Sequence, residues 1–430
     1  MLPVAAWVLL VGVLGASRTT AGELLQEIES SYDGQYGQCF QSLSGEAGAL
    51  NLGQRWGESS PTATLYIDLH AVKSAASSFD FRTFDPEGVI FYGDTVPGMD
   101  WFVLALRRGK PEMQIHNAIT NLTVSGGRRL DDGQWHRVMV KNEGHVVLLE
   151  VDGDEHLVLS HVSYPIVEQQ EPSMRIGVGG LFIPVQELLT PLNTAMDGCM
   201  RRWDWLNQTA EWREGTSLED DGTKGCFPSI RPGSFFPGRG LATFSLTGLP
   251  MGLSPTNGSW SLTLQMGIGA APQSGTLLAV SSLKQTPVLR LDLQHTDLVA
   301  HLGNKTVLLV PLPLRGCLDA QLFLRVTPTR LTLRLGGAES EMPIPRTEFD
   351  SLKHLWLSKR GHLVVGGLPG QEISALAQER SYFRGCLHAI RVQGQELDLD
   401  SAQSRSNSIW AHSCPGPDDA ESKAALDGGN

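Results

Sequence analysis

The sequence predicts an all-β protein made of two tandem β-sandwiches. Three observations carry this: short alternating or β-branched runs bounded by turn residues, a Gly- and Pro-rich composition, and an internal duplication. Of 430 residues, 41% are hydrophobic and 19% charged, a globular balance in a chain long enough for two or more domains. Its 47 glycines and 24 prolines suit many strands joined by turns.

The chain opens MLPVAAWVLLVGVLGASRTTAGE. The apolar run from Leu2 to Leu14 is too short to span a bilayer comfortably, and small residues follow it (Gly15, Ala16, Ser17, Ala21, Gly22). Residues 1–21 therefore read as a signal peptide of a secreted, extracellular protein, although the basic start of such peptides is missing. A buried N-terminal helix is the alternative. No later stretch reads as a membrane span.

An N-terminal segment, 22–58, comes next and holds one cysteine, Cys39. The first sandwich, 59–228, is read from TATLYIDLH (62–70), the strands around FDPEGVIFYGDT (84–95), WFVLALRR (101–108), PEMQIHN (111–117), HRVMVKNEGHVVLLEVDG (136–153) and SMRIGVGG (173–180). Arg108-Gly109, Glu143-Gly144 and Asp152-Gly153 supply turn chemistry between them. A Pro/Gly-rich join, 229–240, opens the second sandwich, 229–416, and a tail, 417–430, follows it. There VLRLDLQ (288–294), LVAHLG (298–303), QLFLRVTPTRLTLRLGG (321–337) and HLWLSKRGHLVVGG (354–367) all read as strands.

The duplication fixes an order of events. RIGVGGLF (175–182) precedes DGCMRRWDW (197–205) and then Cys226; HLVVGGLP (362–369) precedes RGCLHAIRV (384–392) and then Cys414. The near-equal separations predict Cys199–Cys226 and Cys386–Cys414 disulfides, each closing a loop worth about 3 kcal/mol. Cys39 and Cys317 remain; they pair together, stay free or bond another chain. Sequons at Asn121, Asn207, Asn257 and Asn304 suit a secreted glycoprotein.

The net charge of −12 argues against nucleic acid and anionic membranes as partners. No G-x-S-x-G elbow, Walker loop or G-x-G-x-x-G fingerprint is present, so an enzyme is not expected. Histidines 116, 136, 145, 156 and 161 form no H-E-x-x-H motif.

LDDGQWHRVMV (130–140) followed by VVLLEVDG (146–153), with EGVIFYGD (87–94) and DGCMRR (197–202), resembles the laminin G-like family. The resemblance implies two jelly-roll sandwiches of antiparallel sheets. RTFDPEGVIFYGDT, PEMQIHN, RLDDGQWH and LLEVDG are similar, over roughly 62–415, to that family's branch of secreted carriers of androgens and oestrogens. A steroid is a rigid apolar slab with a polar group at each end, so its site needs an apolar slot with a few end partners. The resemblance implies Ser77 for the A-ring oxygen, Asp100 and Asn117 for the D-ring hydroxyl, and Phe102, Ile115, Val140, Val147, Met174 and Leu206 for the walls. Read locally, Ser77 and Asn117 are turn residues, Asp100 a solvated charge and the apolar set ordinary core. Asn142 and Gln169 depart from the family pattern, where an apolar wall residue and a basic residue are expected.

The same resemblance implies a structural calcium ion held by Asp85, Glu87 and the carbonyl of Ala195, with water completing its oxygen shell. Read locally, Asp85-Pro86-Glu87-Gly88 is a turn with solvated acids. Its counterpart, Pro272-Gln273-Ser274-Gly275, lacks both acids and predicts no second ion. A homodimer through sheet edges is implied, with Val124 and Leu157 at the interface; ordinary strand packing is the local reading. The alternative function is a domain pair that binds a protein receptor or a matrix or glycan partner.

Overall fold

The computed structural model describes Cys39 and residues 45–416, apart from 54, 73–74, 161–172, 209–212, 215–223, 254–257, 272, 284–285, 305, 314–315 and 369–381. The expected signal peptide, most of the 22–58 segment, the tail, His161, Gln169, Asn257 and Pro272 lie outside the described residues.

The first half contains strands β1 (Ala49–Asn51), β2 (Ala63–Asp68), β3 (Ala76–Thr83), β4 (Gly88–Val96), β5 (Asp100–Arg107), β6 (Lys110–His116), β7 (Asn121–Ser125), β8 (His136–Asn142), β9 (Val146–Val151), β10 (Asp154–Ser160), β11 (Ser173–Val178), β12 (Gly198–Asp204) and β13 (Arg213–Glu214). One sheet has the order β1-β12-β3-β8-β9-β10, the other β13-β2-β11-β4-β5-β6-β7, with neighbours antiparallel. Two-residue turns at Arg108-Gly109 and Asp152-Gly153 place both residues at positive φ (53° and 78°, 55° and 89°), the geometry that matches strand twist in tight hairpins.

Side-chain alternation builds the core. Phe79 and Phe81 of β3, Val138 of β8, Leu149 and Val151 of β9 meet Leu104 and Leu106 of β5 and Ile176 of β11 between the sheets. The run WFVLAL is buried on both faces, as a continuous apolar strand requires. Its other face (Trp101, Val103, Ala105) lies under Leu181, Ile183, Leu188 and Leu192. That covering band is pinned by polar contacts. Arg107 bonds Glu112 at 2.6 Å and the Thr190 carbonyl at 3.0 Å, and the Gln114 side-chain amide donates to the same carbonyl at 2.9 Å.

The second half repeats the plan, with sheets built around Leu262–Ala270 and Gly275–Ser282 enclosing one apolar core. It differs from the sequence expectation at one element. Residues read as the strand HLWLS belong to a helix, α1 (Arg346–Ser358). Phe349, Leu352, Leu355 and Trp356 recur at helical spacing and are buried, so the 3.6-residue period outweighs the short apolar run at its end. Strand pairing adds two details near the expected domain edges. β1 pairs with β12, so the first sheet begins before residue 59. The expected join is largely strand: Ile230–Pro232 pairs with Ser413–Pro415 and Ser234–Pro237 with Arg384–Val392.

Disulfides link Cys199 to Cys226, Cys386 to Cys414, and Cys39 to Cys317. The last ties the N-terminal segment to the second half. Other contacts join the halves: the Trp56 amide donates to Asn407 Oδ1 at 2.6 Å, and Lys224 Nζ to the Ile409 carbonyl at 2.8 Å.

Candidate functional site

The resemblance-derived slot residues gather at one end of the first sandwich. Ser77 is the second residue of β3, and β3 runs antiparallel to β8, with Ser77 opposite Val140. Val147, the second residue of β9, lies opposite Asn142, which ends β8. On the other sheet Phe102, near the start of β5, lies opposite Ile115, near the end of β6. Met174 is at the start of β11 opposite Ile67, near the end of β2. The register Trp101 to His116 and Phe102 to Ile115, carried one step on, sets Asp100 beside Asn117.

Parity decides which way each residue faces. Ser77 shares the inward face of Phe79 and Phe81, whereas Ser78 faces outward and its hydroxyl accepts from Arg137 at 2.7 Å. Val140 follows Val138, Phe102 precedes Leu104, and Met174 precedes Ile176 on their inward faces. In each pair the residue deeper in the strand is fully buried, while Val140, Phe102 and Met174 are half-buried. Burial thus falls at these three positions, while Ile115 and Val147 at the same end stay buried (6% and 5% exposed). Leu206 joins this set, half-buried against the same core.

Trp205 floors the region, packed in the same core. It is 1% exposed, its ring lies 5.8 Å from Phe79 and 5.2 Å from Phe91, and Phe91 lies 5.6 Å from Phe102. A register shift in β12 before Asp204 breaks the period-2 signal that would have marked it.

The polar partners are placed, and each has local bonds. Ser77 is 7% exposed and its Oγ accepts the Leu206 amide at 3.3 Å. Asp100 Oδ2 accepts from the Thr95 hydroxyl at 3.0 Å. Asn117 is buried and its Oδ1 accepts the Ile119 and Thr120 amides at 2.8 and 2.7 Å, an Asx turn. Asn142 is exposed, its Oδ1 accepting the Gly144 amide at 3.0 Å. Val124 is half-buried and Leu157 is 6% exposed; both pack on the first core, in the edge strands β7 and β10.

In the second sandwich the connection between Ala338–Pro343 and Gly361–Val365 is α1, and its buried face fills the core with Phe349, Leu352, Leu355 and Trp356. Trp356 Nε1 donates to the Pro250 carbonyl at 2.8 Å, fastening the helix to the 249–251 segment.

A second group lies at the turn after β3. Asp85 is 1% exposed; its Oδ1 accepts the Glu87 amide at 3.0 Å and its Oδ2 the Asp197 amide at 2.9 Å. Glu87 Oε1 accepts the Asn193 amide at 2.9 Å. The two acids thus bracket the 193–197 loop, and Ala195 lies between their anchor points. A Cβ on Gly88 would fall 2.3 Å from the Ala195 carbonyl oxygen, so only glycine lets that carbonyl reach the turn. Oxygen donors of this kind fit a hard cation such as calcium, which would bind the turn to the loop when present.

Residues from the far end of the chain join this group. His412 Nε2 lies 2.7 Å from Asp400 Oδ2 and 3.7 Å from Asp85 Oδ1, and the His412 amide donates to Asp197 Oδ2 at 2.6 Å. Among the described residues, Asp85, Asp400 and His412 form the one set of three such side chains close enough to share a metal ion. Burial pushes the Asp85 pKa up to about 8, against the pull of His412. Burial alone would lower His412, but Asp85, Asp400 and Asp197 raise it to about 10. Burial also opposes ionisation of Asp400, yet His412 and Arg405 hold its pKa below the usual carboxylate range. In the second half's equivalent turn, Gln273 donates to the Arg384 carbonyl instead.

A laminin G domain matches residues 81–211, from β3 to just beyond β12. The sex hormone-binding globulin of Crocuta crocuta is 41% identical over 83% of this chain and 86% of its own length. The human protein of that name is 42% identical over 83% of this chain and 84% of its own. The chain belongs to the sex hormone-binding globulin family. As a member of this family of binding proteins it is not an enzyme. Laminin G-like structure extends through both halves: domains LG4-5 of the mouse laminin alpha1 chain superpose with a TM-score of 0.61, covering 88% of this chain and 99% of that one, at 20% identity. No helix among the described residues is long and apolar enough to cross a membrane.

Proposed function

We propose that the protein is a secreted carrier that reversibly binds sex steroids, androgens and oestrogens, at the open end of the first sandwich and so regulates their availability. One observation carries the reading: nine residues scattered from Ser77 to Leu206 come to the same end of two facing sheets. The fused rings would lie between Phe102, Ile115 and Met174 on one sheet and Val140 and Val147 on the other, with Leu206 at the lip. Ser77 on one sheet, and Asp100 with Asn117 on the other, supply hydrogen-bonding groups for the two polar ends. Burying a steroid's apolar area supplies most of the affinity, at about 25 cal/mol per Å², and the polar partners set orientation. The helix-filled core of the second sandwich favours the first as the single carrier domain.

Calcium held by Asp85, Glu87 and the Ala195 carbonyl would act structurally, locking the turn after β3 to the 193–197 loop. The edge strands β7 and β10 carry backbone groups open to further pairing, and a homodimer through them fits this reading. The test is equilibrium dialysis of the secreted protein with labelled dihydrotestosterone and oestradiol, in calcium and again in EDTA. Saturable nanomolar binding, on the order of −12 kcal/mol, is expected. No binding in either condition defeats the assignment and turns attention to protein partners.

A further inference from the structure

Two sequons stand on opposite lips of the slot. Asn207 directly follows Leu206, and the pair takes positive φ of 58° and 54°. Their turn is a strap across the sandwich end. At one side the Leu206 amide donates to Ser77 Oγ on β3; at the other the Gln208 side-chain amide donates to the Asp68 carbonyl, at 2.7 Å, where β2 ends in the opposite sheet. Asn207 sits between these anchors and is exposed.

Asn121 begins β7 on the other lip and is also exposed. It pairs in register with His116, and its side-chain oxygen bonds the His116 ring. That ring stacks on Trp101 at 5.3 Å, and the next residue, Asn117, is a proposed steroid contact. Both sequon asparagines thus flank the rim without facing the core.

We infer that Asn121 and Asn207 carry N-linked glycans that flank the mouth of the slot and slow steroid exchange. This rests on the steroid-carrier reading. In the modification the side-chain amide nitrogen bonds to the anomeric carbon of a lipid-diphosphate-linked oligosaccharide. The carbon–oxygen bond to the diphosphate breaks, and one amide proton is lost. A glycan on the outer lip does not touch a steroid lying between the sheets. It obstructs passage in both directions, so it slows association and dissociation by the same factor and leaves the equilibrium constant unchanged.

The test uses the full chain secreted from animal cells. Glycopeptide mass spectrometry reads occupancy at each asparagine. Dissociation and association of labelled dihydrotestosterone are then timed before and after endoglycosidase trimming to a single sugar, and in Asn121→Gln and Asn207→Gln. Both sites occupied, with exchange faster by about threefold or more in both directions and an unchanged dissociation constant, is the expected result. Unmodified asparagines overturn the inference, as do unchanged rates in a trimmed protein that still binds saturably. Absence of saturable binding in every form defeats the steroid assignment itself, and the inference with it.

Discussion

The Ser77 hydroxyl oxygen accepts the Leu206 amide at 3.3 Å, joining the first residues of β3 to the turn that crosses the sandwich end. The bond holds Ser77 on the inward face, beside the half-buried rim, with its hydroxyl hydrogen left to donate elsewhere. One residue on, Ser78 faces Arg137 on the outside.

Ser77→Ala is therefore expected to weaken steroid binding by about 1–3 kcal/mol, because a buried ligand oxygen loses its partner. Ser78→Ala should leave affinity unchanged. Equilibrium dialysis of both variants checks this, with thermal midpoints to confirm that each folds. Equal affinities for Ser77→Ala and the parent protein would reject Ser77 as the contact.

Removing calcium, or replacing Asp85 with Asn, should loosen the 193–197 loop that Asp85 and Glu87 bracket. Hydrogen exchange at the Asn193 and Asp197 amides is the readout, since each donates to one of these acids. Faster exchange at both on adding EDTA is expected. Identical protection with and without calcium would remove the ion from the site.

Stability should also depend on pH through His412. Its folded pKa, about 10, exceeds the unfolded value of about 6.5, so its stabilisation is complete below pH 6.5 and is lost as pH rises through 10. Lys224 has the opposite slope: burial lowers its pKa to about 8, so its contribution improves as pH rises from 8 to 10.5. The difference between the parent protein and His412→Gln isolates the first effect. Urea unfolding in EDTA at pH 6, 8 and 10 should show that difference shrinking with pH; a constant difference counts against a charged His412 in the folded state.

Trp356→Ala should destabilise the second sandwich by about 3–5 kcal/mol, by opening a cavity under α1. Steroid affinity should not change, because the proposed slot lies in the other half. Calorimetry and dialysis on one preparation test both statements. A large loss of affinity at a temperature where the variant remains folded would mean that the second core shapes the slot.

Much of the fold was legible because its signals are local. Alternation in HRVMV and VVLLEV, and turn pairs such as Asp152-Gly153, depend only on neighbours along the chain. The segment of α1 reads as strand because HLWLS is a short apolar run, which periodicity cannot assign, while its helical period shows only when Phe349 and Leu352 are included. The slot residues came from resemblance, since Ser77 or Phe102 alone looks like any turn serine or core aromatic. Trp205 carries no local signal, because the irregular register of β12 precedes it.

The sequence by itself determined the all-β class, the duplication, the Asp85-to-Gly88 turn and the charge balance, each encoded by neighbouring residues or by totals. Tertiary structure alone decided that Cys39 joins Cys317, that Ser77 rather than Ser78 faces inward, and that His412 and Asp400 stand beside Asp85. These are contacts between segments far apart in the chain. They are set by sheet register and by how the halves meet, and no run of neighbouring residues records either one.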